Sequence, residues 1–134
     1  ELIKMGKMAD DPKATPKDQR NRMTPRFELI KKIILGSKYE LSLVFCTAKK
    51  IQSLNKTYRK INKPTDILSF PLSKNSGEIF ICKSETKKMA KEFDRPYDNF
   101  LVFLFIHGCV HLKGYDHGPK MEKMEEKFRN KFNI

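Results

Sequence analysis

The apolar positions of this chain change their period several times, and each change marks an element. From Pro25 the residues Phe27, Leu29, Ile30, Ile33 and Ile34 recur at three- and four-residue intervals, the spacing of one helix face, and the pattern stops at Gly36. Thr24 and Pro25 supply an N-cap and a first helical position, which predicts a helix over residues 25 to 35. "YELSLVFC" (39 to 46) alternates and then runs apolar with β-favouring side chains, a strand. In "AKKIQSLNKTYRKI" the period returns to that of a helix, with Ile51, Leu54, Tyr58 and Ile61 in step. "TDILSFPL" (65 to 72) and "GEIFIC" (77 to 82) read as strands joined by the turn "SKNSG", hence as hairpin partners.

Three helices complete the pattern. One starts near Ser84, carries Met89 and Phe93, and ends around "FDRP"; one is capped by Asp98 and runs strongly apolar to about Lys113, stopped by Gly114; the last spans residues 120 to 132 with Met121, Met124, Phe128 and Phe132 aligned. Residues 1 to 24 show no sustained apolar period and hold Pro12 and Pro16, so they are expected to form a weakly ordered or docked N-terminal arm. Residues 25 to 134 are then a single α+β domain, a small mixed β-sheet with packed helices, which suits a chain of 134 residues.

Composition narrows the class. The longest apolar run, residues 100 to 106, is far short of the roughly 20 residues that span a bilayer, so no membrane partner is expected and the cytoplasm is the default location. Cys46, Cys82 and Cys109 are odd in number and form no CxxC pair, which argues against both a disulfide framework and a zinc ribbon. The formal net charge is +12, and residues 49 to 63 alone carry Lys49, Lys50, Lys56, Arg59, Lys60 and Lys63 with no acidic residue. Such a patch suits a polyanion, because neutralised phosphates release counterions. On this helix Lys49, Lys56 and Lys60 fall opposite the apolar face, while Asn55 and Arg59 sit on its border, where an arginine can reach a cleft.

The chemistry is concentrated in "FIHGCVHLKGYDHG". All three histidines of the chain, His107, His111 and His117, fall within these residues. His107 and His111 are i, i+4 and share one helix face, and Gly114 lets the chain reverse and bring His117 to the end of the pair. HxxxHxxxxxH is therefore a compact three-histidine metal site, and three neutral ligands with one open position are the catalytic rather than the structural arrangement. Cys109 lies two residues from each helical histidine and so points away as a fourth ligand. Asp116 is placed to accept a hydrogen bond from an imidazole and fix its tautomer. Where an HExxH protease has its glutamate base, this chain has Gly108, which disfavours protease chemistry and allows close packing or substrate approach.

These residues resemble a known family. "HGCVHLKGYDH" (107 to 117) is similar to the HGxLHLxGYDH signature of the bacterial YbeY family, "LNKTYRKINKPTDILSFPL" (54 to 72) to its LNxxYRxxxxPTDVLSFP segment, and "GEIFI" (77 to 81) to its GDIxI strand. The resemblance covers roughly residues 39 to 132. Departures are Val110 for the usual Leu, Glu78 for Asp, and a short basic "HGPK" after the motif in place of an acidic stretch.

The resemblance implies a metal-dependent endoribonuclease that cleaves single-stranded RNA in 16S and other ribosomal RNA maturation and in ribosome quality control, with the ribosome or its small subunit as partner. By the same resemblance His107, His111 and His117 hold Zn2+, Arg59 and His111 serve catalysis, and Arg59 is the cleft arginine used with RNA. Lys49, Lys56, Lys60 and Lys63 are the expected RNA contacts, and Asp66 is expected to hold the backbone near the site. Two other readings fit the same residues: a non-catalytic ribosome assembly factor with a structural zinc, and a metal hydrolase acting on another phosphate substrate.

Overall fold

The computed structural model describes residues 23 to 134 together with the backbone of Gln19 and Arg20, so most of the expected N-terminal arm lies outside the described residues. In chain order the elements are β1 (Gln19–Arg20), α1 (Pro25–Leu35), β2 (Glu40–Cys46), α2 (Ala48–Arg59), β3 (Ile67–Ser73), β4 (Ser76–Cys82), α3 (Lys83–Glu92), α4 (Tyr97–Lys113) and α5 (Pro119–Lys131). Local chemistry sets most of the boundaries. The Thr24 hydroxyl accepts from the Phe27 N–H at 3.3 Å and starts α1, Thr47 does the same for Lys50 at 3.1 Å and starts α2, and Gly114, at φ 115°, ends α4.

Asp98 does not cap α4. Pro96 takes the N-cap position and Asp98 falls inside the first turn, where its charge favours the helix dipole instead.

The sheet is mixed, in the order β1-β2-β4-β3. β3 and β4 form the expected antiparallel hairpin, β2 and β4 are parallel, and β1 pairs antiparallel with the outer side of β2. The parallel pair is possible because α2 and β3 intervene in the chain, giving room for a crossover.

Alternation along the strands divides the core in two. Leu43, Phe45, Ile67, Ile79 and Ile81 face one way and pack with Phe27, Ile30 and Ile34 of α1 and with Phe105, Ile106, Cys109 and Val110 of α4. Val44, Leu68, Phe70, Phe80 and Cys82 face the other way and pack with Ile51 and Leu54 of α2. α2 therefore covers one face of the sheet alone, while α1 and α4 lie on the other. Both faces of the sheet being covered explains why "ILSF" and "IFIC" run apolar instead of alternating.

Candidate metal centre

α4 is the best-buried helix of the fold, and it carries His107 and His111 toward its C-terminal end. It approaches the sheet closely because Gly108 has no side chain: a Cβ there would stand 3.0 Å from the Cδ1 atoms of Ile67 and Ile79 and 3.1 Å from Ser69 Oγ. Gly108 thus serves tight packing, and its helix-weakening cost is offset by seating the histidine-bearing turn against β3 and β4.

The helix stop and the histidine cluster are one construction. The Gly114 N–H donates to His111 O at 2.9 Å and the Tyr115 N–H to Val110 O at 3.4 Å, so the chain reverses immediately after His111. His111 Nδ1 in turn bonds to the Tyr115 carbonyl at 3.0 Å; since a carbonyl only accepts, Nδ1 carries the proton and Nε2 keeps its lone pair. The reversed chain brings His117 to the pair, and the three imidazole nitrogens converge within 4.8 Å of one another. The ring centroids of His107–His111, His111–His117 and His107–His117 are separated by 4.6, 4.7 and 5.4 Å. His117 is exposed, His107 half-buried and His111 buried, so the cluster is open on one side.

α5 supplies a group that the sequence reading missed. Glu125 is buried and its Oε1 meets His107 Nδ1 in an ion-pair-type hydrogen bond. A carboxylate on Nδ1 directs Nε2 of His107 toward the cluster and makes it a stronger donor to a cation. The signal was present: Glu125 falls in step with Met121 and Phe128, the buried residues of α5, so it is a charge inside an apolar stripe.

The donor set suits a metal ion. His111 Nε2 is buried and makes no hydrogen bond, an unsatisfied acceptor aimed among two other imidazoles. Burial, followed by the nearness of His107 and His117, lowers the His111 pKa to about 4, so the ring is neutral and ready to ligate at neutral pH. Cys109 is fully buried in the core, and burial pushes its thiol pKa up, which removes it as a ligand.

Of the other predicted residues, Asp66 comes to the same cleft. It lies just before β3 and, with His107, lines a cavity of about 190 Å³. Burial raises the pKa of its carboxyl, against the opposing effect of the Asp66 and Ile67 N–H groups and of His107. Asp116 stands exposed on the turn, and the acceptors described on His107 and His111 are Glu125 and Tyr115.

Arg59 is the last residue of α2, on the other face of the sheet. Its Nη1 donates to Asn55 Oδ1 at 3.1 Å, and the buried Asn55 donates to the Lys63 carbonyl at 2.9 Å, tying the end of α2 to the loop that leads into Thr65 and Asp66. Lys49, Lys56, Lys60 and Lys63 are exposed on and just after α2. Tyr58 packs edge-on against Phe70, ring centroids 5.2 Å apart, and belongs to the core beneath α2.

Comparison with known proteins agrees with this geometry. The family model described as Endoribonuclease YbeY matches residues 8–133. Relatives named Endoribonuclease YbeY include that of Aquifex aeolicus, 41% identical over 96 residues covering 67% of this chain and 63% of the relative. That of Thermosipho melanesiensis is 32% identical over 73% of this chain and 77% of its own length, and that of Acholeplasma laidlawii 32% identical over 87% and 94%. A solution structure of a Thermotoga maritima protein superimposes with a TM-score of 0.58 at 28% identity, covering 81% of this chain and 79% of its own.

Proposed function

Because the chain belongs to the Endoribonuclease YbeY family, we propose that it is a metal-dependent endoribonuclease that cleaves single-stranded ribosomal RNA in the cytoplasm. Its work is the maturation of 16S ribosomal RNA and ribosome quality control, with the small ribosomal subunit as partner and one zinc ion held by His107, His111 and His117. The observation that carries the reading is the buried, unbonded Nε2 of His111 set among two further imidazoles.

When bound, zinc supplies Lewis-acid chemistry, polarising a phosphoryl oxygen and making a nucleophile available at neutral pH. The remaining work falls to the protein. Glu125 and the Tyr115 carbonyl each hold the proton on an Nδ1, which fixes the tautomer of His107 and His111 and turns both Nε2 atoms inward. The exposed side of the cluster at His117 leaves room for an RNA strand. Arg59, steadied by Asn55, offers guanidinium donors to the charge that develops on the phosphate, and the lysines of α2 neutralise the strand on either side. No helix among the described residues is long and apolar enough to cross a membrane.

The test is cleavage of a labelled single-stranded ribosomal RNA fragment by the wild type, His111→Ala and Arg59→Ala purified identically, with metal content measured on each. The expected result is that His111→Ala loses zinc and cleavage, whereas Arg59→Ala keeps zinc and loses cleavage. Equal cutting by all three would assign the activity to a contaminant and favour the assembly-factor reading.

A further inference from the structure

The cavity that His107 and Asp66 share extends away from the histidines into an aromatic recess. Its wall is made by Thr65 and Asp66 before β3, by Met89 and Phe93 at the end of α3, and by Phe103 of α4. Phe93 is 53% exposed, the one aromatic among the exposed large hydrophobic side chains of the described residues, although an apolar ring of that size is ordinarily buried. It is nevertheless held in place: its ring stacks on Phe100 at 5.3 Å with an interplanar angle of 23°, and Phe100 stacks on Phe103 at 5.3 Å and 14°. The result is a pre-ordered aromatic platform at the edge of the metal centre.

Cations border this platform. The guanidinium of Arg95 lies 4.7 Å from the Phe103 ring centroid and that of Arg129 lies 5.1 Å from it. Arg95 is anchored by Asn99 Oδ1 at 2.6 Å, and Arg129 is one helical turn beyond Glu125 on α5, the residue that orients His107. An aromatic face for stacking, positive charge beside it and a phosphate-directed centre next to it are the parts with which proteins hold single-stranded nucleic acid.

We propose that the recess between α3, α4 and the start of β3 is a nucleobase subsite, in which an unpaired base adjoining the scissile phosphate stacks on Phe93 while Arg95 and Arg129 meet the neighbouring phosphates. The proposal rests on the ribonuclease reading and deepens it, because it gives the enzyme a second hold on the strand on the sheet face opposite α2. The pocket is open enough to admit a base, and its continuity with His107 sets the base within about one nucleotide of the reacting phosphate.

The experiment compares zinc-loaded wild type, Phe93→Ala and Phe93→Trp on one single-stranded RNA and on a set of copies, each with a single abasic nucleotide near the cleavage point. Phe93 is 53% exposed but stacks on the buried Phe100, so circular dichroism and zinc content of each variant serve as controls for the fold. Loss of a stacked base is worth roughly 10-fold. Phe93→Ala is therefore expected to lower kcat/KM about 10-fold on the intact RNA, and one abasic position is expected to cost the wild type about the same. On that abasic RNA, Phe93→Ala should cost almost nothing further, and Phe93→Trp should restore cleavage of the intact RNA. Arg129→Gln should weaken cleavage of every RNA in the set alike.

Additive losses on all RNAs, or no loss in Phe93→Ala, overturn the subsite while wild-type cutting keeps the nuclease reading intact. If the wild type cuts nothing, the nuclease reading falls and binding alone decides the subsite. Quenching of a 2-aminopurine base in the RNA by wild type but not by Phe93→Ala upholds the pocket, and equal quenching or no RNA binding overturns it.

Discussion

His111 shows how one side chain is prepared for its task at the expense of stability. Its ring is buried, with a pKa lowered from 6.5 to about 4, so in metal-free protein it stays neutral while the unfolded chain takes up a proton. The unfolded state then binds more protons between pH 6.5 and 4, and stability falls as pH falls through that window. The contribution is fully present above pH 6.5 and amounts to a few kcal/mol, at roughly 1.4 kcal/mol per pKa unit. Asp66 acts in the opposite direction, since a carboxyl with a raised pKa favours the folded state as pH drops. Urea unfolding of the metal-free protein should therefore show a midpoint that decreases from pH 7 to 4.5, and His111→Asn, which cannot titrate, should flatten the profile. A wild-type profile no steeper than that of His111→Asn would refute the assignment. Glu125 offers a second test at the same site: Glu125→Gln keeps the volume but removes the charge on His107 Nδ1, so zinc affinity should fall about 10- to 100-fold in a chelator competition, with the fold unchanged by circular dichroism.

Among the elements, α4 combines the core and the metal centre in one helix, and the two demands meet at Gly108. Alanine there would gain up to about 1 kcal/mol of helix propensity. Its methyl group would, however, press on Ile67, Ile79 and Ser69, all buried, at distances that the packed sheet can relieve only by shifting. Overpacking of this kind costs about 1–3 kcal/mol, so Gly108→Ala is expected to lower stability by about 1 kcal/mol net and to weaken zinc binding by displacing His107 and His111 from the sheet. Thermal unfolding and zinc titration of the variant check this; a variant more stable than wild type would show that the sheet yields. The helix spacing, the glycine stop and the convergence of three histidines were legible in the sequence because they depend on dihedral angles and spacings within eleven consecutive residues. The Asp98 cap was misjudged for an equally local reason, since Pro96 already sets the helix start and leaves Asp98 within the first turn.

Across the protein, charge and chemistry are distributed over both faces of the sheet. The lysines of α2 lie on one face and the histidine cluster on the other, and the loop from Lys60 to Asp66 joins them. RNA that reaches from the histidines to α2 must neutralise several phosphates, so the logarithm of the binding constant should fall linearly with the logarithm of salt concentration. Replacing Lys56 and Lys60 together by glutamine should reduce that slope by about 1.4, the value for two phosphates of a single strand, without changing zinc content, as measured by RNA binding at several salt concentrations. An unchanged slope would place the strand away from α2.

The division between what the chain reveals along its length and what folding adds follows from the range of the forces involved. Among the described residues, apolar periodicity located every helix and the β2, β3 and β4 strands to within a few residues, and the α+β class with a mixed sheet followed from their order. The motif "HGCVHLKGYDH" contained its own helix, stop and return, so the histidine cluster could be read from it. Strand order, the side of the sheet that α2 covers, the Glu125–His107 pair and the aromatic recess beside it could not, because each depends on which distant surfaces bury one another. Short-range geometry is set by backbone dihedrals and spacing, whereas the partner that a buried charge or an apolar face meets is settled only when the core closes.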